Sequence, residues 1–162
     1  MGDWYVTNLS DGQWWDYGPA GFARLLVEDK AAQVGVNVFV LEPGQPMAMY
    51  HWEADQEGFL VLSGEALLII DGEERTIRQW DYVHCPPGIP HTRVGAGDGP
   101  CVILAIGARQ HAEEDDWGGY PVSELAMRHN ASTEEETNDP QVAYARFPKR
   151  VEGTFNEDWL PS

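Results

Sequence analysis

Two histidines and two glutamates near the middle of the chain have the types and spacing of a metal site. His51 and Glu53 are two residues apart, and Glu57 shares their parity beyond a short turn. Because side chains of a β-strand alternate between its two faces, His51 and Glu53 would project to the same side.

His91 is the fourth candidate and lies on a separate segment. It follows the tight turn expected at Pro86-Pro87-Gly88. Two imidazoles and two carboxylates form a plausible shell for a divalent transition metal. The sequence therefore predicts a metal site made of His51, Glu53, Glu57 and His91. The alternatives are a water-filled polar pocket without metal and, for Glu53, an outward orientation or a role as general base beside the metal.

The segment around His51 resembles the first sequence motif of the cupin superfamily. That motif has a glycine, five or six residues, His-x-His, three or four residues, a glutamate, six residues and a second glycine. Here Gly44, His51, Glu57 and Gly64 occupy these positions. Glu53 stands where the family usually has its second histidine.

A second cupin motif, Pro-x-Gly followed after two residues by His, resembles Pro86, Gly88 and His91. Trp80 replaces the glycine that usually opens this motif, and Gly95 replaces its closing asparagine. The resemblance spans about residues 35–107 and is closest to small single-domain cupins of unassigned function. It implies that His51, Glu57 and His91 are ligands of one divalent ion; with Glu53 the set favours iron or manganese, and zinc stays open.

Three further residues are candidates for a substrate pocket beside the metal. Met47 and Met49 share the parity of His51, and flexible thioethers suit an apolar ligand, although simple filling of the barrel is an equally open interpretation. Arg93 shares the parity of His91 and, pointing inward, would bind a substrate carboxylate or phosphate. The alternative is an exposed arginine on an acidic surface.

The elements that would position these residues are short β-strands. Residues 35–107 alternate β-branched, apolar runs with turn signals such as Asp71-Gly72, which is typical of a sandwich or barrel. This pattern predicts an all-β fold, and the resemblance implies a cupin-type double-stranded β-helix (jelly-roll) barrel with N- and C-terminal extensions. Residues 1–34 would pack on the barrel, and residues 108–162 would contain one short helix within 121–130.

Length and charge limit the function. The chain has 162 residues, which favours one domain, and 27 acidic against 10 basic residues give a formal charge of -17. Such a surface repels nucleic acids and anionic membranes. With no apolar run long enough to span a bilayer and no leader-like start, we expect a cytoplasmic protein, and the two cysteines predict no disulfide framework.

The leading functional hypothesis is a metal-dependent enzyme, dioxygenase-like, acting on a small organic substrate. The alternatives are a metal-dependent isomerase or decarboxylase, and a non-catalytic cupin that binds or stores a small ligand. Because barrels of this kind often pair through an exposed sheet edge, we also expect a homodimer.

Overall fold

The computed structural model describes residues 4–160. Within this range the chain forms short strands, which in chain order are β1 (Trp14–Asp16), β2 (Phe22–Leu25), β3 (Val34–Leu41), β4 (Trp52–Glu53), β5 (Glu57–Ser63), β6 (Glu65–Ile70), β7 (Glu73–Arg78), β8 (Tyr82–Cys85), β9 (His91–Ala96), β10 (Cys101–Ala108), β11 (Gly118–Gly119) and β12 (Val151–Gly153). The helices are α1 (Glu124–Met127) and α2 (Pro140–Ala143), with short 3-10 turns at Leu9–Asp11, Gly18–Ala20 and Glu157–Trp159.

Two antiparallel sheets form the body of the molecule. The larger has the strand order β12-β1-β2-β3-β10-β5-β8, and the smaller has the order β7-β6-β9. A third, two-stranded pair joins β11 to β4. The predicted mostly β architecture is confirmed.

The sheets enclose one apolar core and carry a second on the outside. Alternation along β3 directs Phe39 and Leu41 to the inner core, where Phe59 and Ile103 also lie. The residues of opposite parity in β3 face an outer cluster with Trp14, Val102 and Trp159. Each face of the large sheet is therefore covered.

The two flanking segments contribute strands to the large sheet. β2 pairs with β3, and β1 pairs with both β2 and β12, so chain from before and after the central region extends this sheet. The flanks thus cover the edge that β3 would otherwise expose, which removes a site for unwanted strand pairing.

Local turn and cap signals explain several boundaries. The β6–β7 hairpin turns at Asp71 and Gly72, with φ of 49° and 78°, as predicted for this dipeptide. The predicted helix begins after Ser123, whose side chain accepts from the Ala126 N–H at 3.2 Å, but it ends at Met127. Beyond Met127 the chain continues in short turns to Asn130, which has φ of 55°.

A second helix, α2, lies in the C-terminal segment 108–162, where we predicted a single short helix. Asp139 caps it by accepting from the Gln141 N–H at 2.8 Å, and Pro140 occupies its first turn. This pair is a recognised helix-start signal.

In the described part of the chain, no helix is long and apolar enough to cross a membrane.

Candidate metal centre

Three separate segments bring the candidate ligands together. His51 and His91 face each other across an isolated antiparallel bridge, in which each N–H donates to the other's carbonyl, at 3.2 and 2.8 Å. Their rings are 4.9 Å apart between centroids. Glu57 opens β5 opposite Cys85, the last residue of β8.

One potential ligand atom from each of His51, Glu57 and His91 lies within 4.8 Å of the other two. His51 and His91 are buried, and Glu57 is partly buried. This compact group of two histidines and one carboxylate could hold a metal ion.

The protons on the two imidazoles are positioned by the backbone. His51 Nδ1 lies 2.7 Å from the Met49 carbonyl, and His91 Nδ1 lies 2.8 Å from the Ile89 carbonyl. A carbonyl oxygen can only accept, so each Nδ1 carries the proton and each neutral imidazole presents a lone pair at Nε2. Metal-binding histidines are usually held in this way.

The atoms that face each other across the centre are the main evidence of fit. His91 Nε2 and Glu57 Oε2 are 2.9 Å apart, yet neither has a hydrogen-bond partner of acceptable geometry. With the proton on Nδ1, both are buried acceptors, and their lone pairs repel. A cation bound by both atoms would remove this conflict, so the residues present fit a metal ion.

The electrostatic environment favours the protonation states that ligands need. Burial lowers the pKa of His91, which keeps the imidazole neutral. Burial alone would raise the pKa of Glu57, but the positive charge of Arg93 lowers it. A neutral imidazole and an ionised carboxylate are the metal-binding forms.

Glu53 lies at the margin of this group. Its Oε1 is 3.5 Å from His51 Nε2, and its side chain is 29% exposed. Glu53 is not part of the compact group. Its role as a fourth ligand stays a prediction.

His51 and Glu57 lie on the wall of a cavity of about 1020 Å³, and His91 lies behind them outside the lining. Met47 and Arg93 line this cavity together with Glu53. Met49 is buried but is not among the lining residues; it packs with Tyr120 and Ala143 instead. Arg93 is buried at 1% exposure rather than lying on the surface.

Sequence reasoning missed the aromatic wall of the centre. The Tyr120 ring lies 5.9 Å from the ring of His51, and the Tyr144 hydroxyl accepts from the Met49 N–H at 3.1 Å. Both tyrosines line the cavity. They come from the C-terminal segment, and no spacing rule connects them to His51.

Cys85 lies directly behind His91. Its Sγ is 2.9 Å from His91 Nδ1, and burial together with Glu57 raises the pKa of the thiol to about 12. The residue is 1% exposed, and alternation along β8 leaves its neighbour His84 exposed. The protonated thiol therefore packs against His91, as expected of a core residue.

Part of the chain matches a known protein family. Residues 37–107 match the family model described as "Cupin domain". This range covers β3 to most of β10 and includes every candidate metal ligand. The chain thus contains a cupin domain and has the mostly β cupin fold.

Parts of this chain are similar to known proteins. An uncharacterised protein of Methanocaldococcus jannaschii is 24% identical over 76 residues, which cover 47% of this chain and 61% of that protein. A crystal structure described as a sugar phosphate isomerase from a cupin superfamily, from Silicibacter pomeroyi, is 28% identical, with a TM-score of 0.51 over 55% of this chain and 59% of that one. This chain spans less than two thirds of either.

A third similarity concerns the fold alone. A cupin-like protein of Thermotoga maritima is 20% identical, with a TM-score of 0.56, and the match covers 83% of this chain and 100% of that one.

Proposed function

We propose that this protein is a metal-dependent enzyme that acts on a small organic substrate in the cavity beside His51, Glu57 and His91. The observation that carries the proposal is the pair of imidazoles held with Nε2 toward a buried carboxylate that has no hydrogen-bond partner. The ion would be iron, manganese or zinc, with Glu53 as a fourth ligand.

The cavity supports catalysis rather than structural metal storage. Its volume of about 1020 Å³ can accommodate a small molecule, and His51 and Glu57 form part of its wall. A purely structural site is usually closed by protein ligands on all sides. Here coordination positions on the cavity side would stay open to substrate or water.

A dioxygenase is the first candidate reaction class. Two histidines and one carboxylate around open positions are the ligand set of non-haem iron(II) oxygenases. A bound divalent ion would supply Lewis acidity, and iron(II) would add reactivity toward dioxygen. The chain's own residues would hold the ion and orient its ligands. The carbonyls of Met49 and Ile89 fix the two imidazole rings, and Glu57 balances part of the charge of the ion.

A metal-dependent isomerase is the second candidate, supported by two observations. The structure with 28% identity is described as a sugar phosphate isomerase. Isomerisation requires a base beside the bound substrate, and Glu53 offers a partly exposed carboxylate on the cavity wall. In this reaction Glu53 would accept and return the proton rather than bind the ion permanently.

Elemental analysis by plasma mass spectrometry tests the proposal. The untagged protein is compared with a His51→Ala, His91→Ala double variant and with a matched His84→Ala, His129→Ala control, whose histidines lie outside the centre. We expect about one iron or manganese per chain in the wild type and control, and almost none in the double variant. Equal metal content in all three would refute the site.

The reaction class is tested next on the loaded protein. Dioxygen consumption that depends on iron and on an added substrate supports the oxygenase. Isomerisation of an added sugar phosphate with manganese or zinc, without dioxygen uptake, supports the isomerase. A wild type that binds no metal after reconstitution would favour the alternative of a non-catalytic protein that binds or stores a small ligand.

A further inference from the structure

Arg93 is a buried cation on the wall of the same cavity. It lies in β9 two residues after His91, so both side chains project to the same face of the strand. The residue is 1% exposed, and its guanidinium carbon lies 3.3 Å from the centroid of the Phe59 ring. Stacking on Phe59 holds the guanidinium plane in a fixed orientation.

The N–H groups of Arg93 lack acceptors. Nε and Nη1 are both inaccessible, and neither has a hydrogen-bond partner among the described residues. None of the ion pairs formed within residues 4–160 involves Arg93. The aromatic ring covers one face of the guanidinium but accepts nothing from the N–H groups in its plane.

A buried charge without acceptors is costly, so a partner from outside the chain is the simplest explanation. An arginine side chain stays charged in a protein even where it is buried. No described residue supplies the missing acceptor, and the space beside Arg93 is the cavity that it lines.

The charges around the cavity favour an anion. Arg93, Arg109, Lys149 and Arg150 all line it, which is four of the ten basic residues in a chain with a formal charge of -17. A local cluster of cations on an acidic protein attracts anions to that opening.

The acidic residues of the cavity have other partners. Asp55 is paired with His111 at 2.7 Å, and Glu53 and Glu57 would face the metal ion. The positive charge of a divalent ion and Arg93 together exceeds the negative charge of the two glutamates by about one unit. A bound monoanion would neutralise that excess.

We propose that the substrate carries an oxyanion, a carboxylate or a phosphate group, which Arg93 binds inside the cavity by turning its N–H fork, covered at Nε and Nη1 in the unliganded geometry, toward the ligand. The planar fork matches two oxygens of such a group, whereas a halide or a neutral hydroxyl matches only one donor. This inference rests on the proposed function for the reaction, because it places the anionic end of the substrate near the metal centre. The anion site itself is testable without turnover.

Isothermal titration calorimetry measures the site with two probes, inorganic phosphate and acetate, with sodium chloride at matched ionic strength as the reference. The two probes distinguish a phosphate site from a carboxylate site. We expect one of them to bind the wild type and to bind Arg93→Met about tenfold to a hundredfold more weakly, as the loss of charge-assisted hydrogen bonds implies. Arg93→Lys, which keeps the charge without the fork, should fall between them.

Arg75→Met is the matched control, because Arg75 is exposed on β7, at the opposite edge of the same small sheet, and its removal changes the net charge equally. Its anion affinity should equal that of the wild type. Equal affinity of Arg93→Met and the wild type, or an equal loss in Arg75→Met, would overturn the inference.

Thermal unfolding gives a second test on the same variants. Phosphate or acetate should raise Tm above the value in chloride at the same ionic strength more in the wild type than in Arg93→Met, because a ligand that binds only the folded state stabilises it, whereas general salt effects act on both proteins equally. No difference with either anion would overturn the inference.

Metal content measured on the same samples separates the two proposals. A protein that holds its metal but binds neither anion would contradict the Arg93 site alone. A protein that binds an anion through Arg93 but takes up no metal would contradict the metal enzyme alone.

Discussion

The two candidate imidazoles are oriented by the same local device. In each case Nδ1 bonds to the carbonyl of the residue two positions earlier, Met49 for His51 and Ile89 for His91. The side chain therefore needs no distant partner to present Nε2 toward the centre. Sequence spacing identified these histidines, whereas the choice of tautomer depends on backbone geometry near each ring.

Glu53 and Glu57 should differ in their importance for metal binding. We expect Glu53→Gln to weaken manganese binding about tenfold to a hundredfold, the range for a supporting carboxylate, and Glu57→Gln to weaken it more because Glu57 lies against His91. Competition with a coloured chelator measures both affinities, with Glu73→Gln on exposed β7 as control. Unchanged affinity in Glu53→Gln would show that Glu53 is not a ligand.

The two cysteines should be unreactive in the folded protein. Burial is the main cause that raises the pKa of both Cys85 and Cys101 to about 12, so near pH 8 very little thiolate is present. We expect a disulfide reagent such as Ellman's to titrate both thiols in denaturant and neither in native protein within minutes. Rapid reaction of one thiol in native protein would contradict this burial.

At the scale of elements, the two glycines of the first cupin motif are required for different structural reasons. Gly44 and Gly64 both have positive φ, 86° and 76°. A Cβ on Gly44 would meet nothing within 4 Å, whereas one on Gly64 would lie 2.9 Å from Cys101 Cα and would also meet the Pro100 carbonyl.

Alanine at these positions should therefore separate backbone strain from steric conflict. Gly44→Ala should cost about 1 to 2 kcal/mol of unfolding free energy, the expense of a left-handed non-glycine residue. Gly64→Ala should cost about 2 to 4 kcal/mol, because β5 and β10 must also shift apart. Urea denaturation followed by circular dichroism measures both, and equal costs would contradict the steric argument.

Asp55 and His111 join the loop after β10 to the turn before β5. His111 Nδ1 lies 2.7 Å from Asp55 Oδ1, and the His111 N–H donates to Asp55 Oδ2 at 2.8 Å. The side-chain hydrogen bond with Asp55 is the main cause that raises the pKa of His111, and the charges of Asp55, Glu114 and Asp116 add to it. The pair thus favours the protonated imidazole in the folded state.

The pKa of His111 is higher in the folded state than in the unfolded state. The protonated side chain therefore contributes its full share of the free energy of unfolding below the unfolded-state pKa, and this share is lost as pH rises through the folded-state pKa. His111→Gln should lower Tm relative to the wild type near pH 6, and the difference should shrink toward zero near pH 9. Differential scanning calorimetry at both pH values measures it. A difference that grows with pH would contradict the assigned sign.

Elements with strong local signals were predictable, and those that depend on distant contacts were not. The Asp71-Gly72 hairpin and the Ser123 cap follow from residues within the turn itself. The Asp139-Pro140 pair that starts α2 is also a local signal, but the acidic residues before it favour a loop. Burial of Arg93 was harder to predict, because it depends on Phe59 from another sheet and on a cavity that no local pattern encodes.

At the scale of the whole molecule, the flanking segments complete both the sheet and the cavity. β1, β2 and β12 extend the large sheet beyond β3, and Tyr120 and Tyr144 supply the aromatic wall near His51. The matched family range 37–107 alone lacks these parts. The structure describes a single chain, so the predicted homodimer stays a prediction that sedimentation velocity can test.

The strong acidity should make stability dependent on salt. A formal charge of -17 on 162 residues implies net repulsion among surface carboxylates, which folding concentrates in a smaller volume. Raising sodium chloride from about 0.1 to 1 M shortens the screening length from about 10 to 3 Å and weakens this repulsion. We expect Tm to rise with the concentration of salt. At this chain length, each kcal/mol gained in the free energy of unfolding raises Tm by about 2 to 4 °C.

A variant with Glu134, Glu135 and Glu136 changed to glutamine tests whether charge repulsion causes the effect. These exposed residues form one continuous acidic run, and removing their charges should raise Tm at low salt and flatten its dependence on sodium chloride. Chloride is used rather than phosphate, because an oxyanion would also stabilise the protein through Arg93. If wild type and variant rise in parallel, general salt effects on apolar burial rather than charge repulsion would explain the stabilisation.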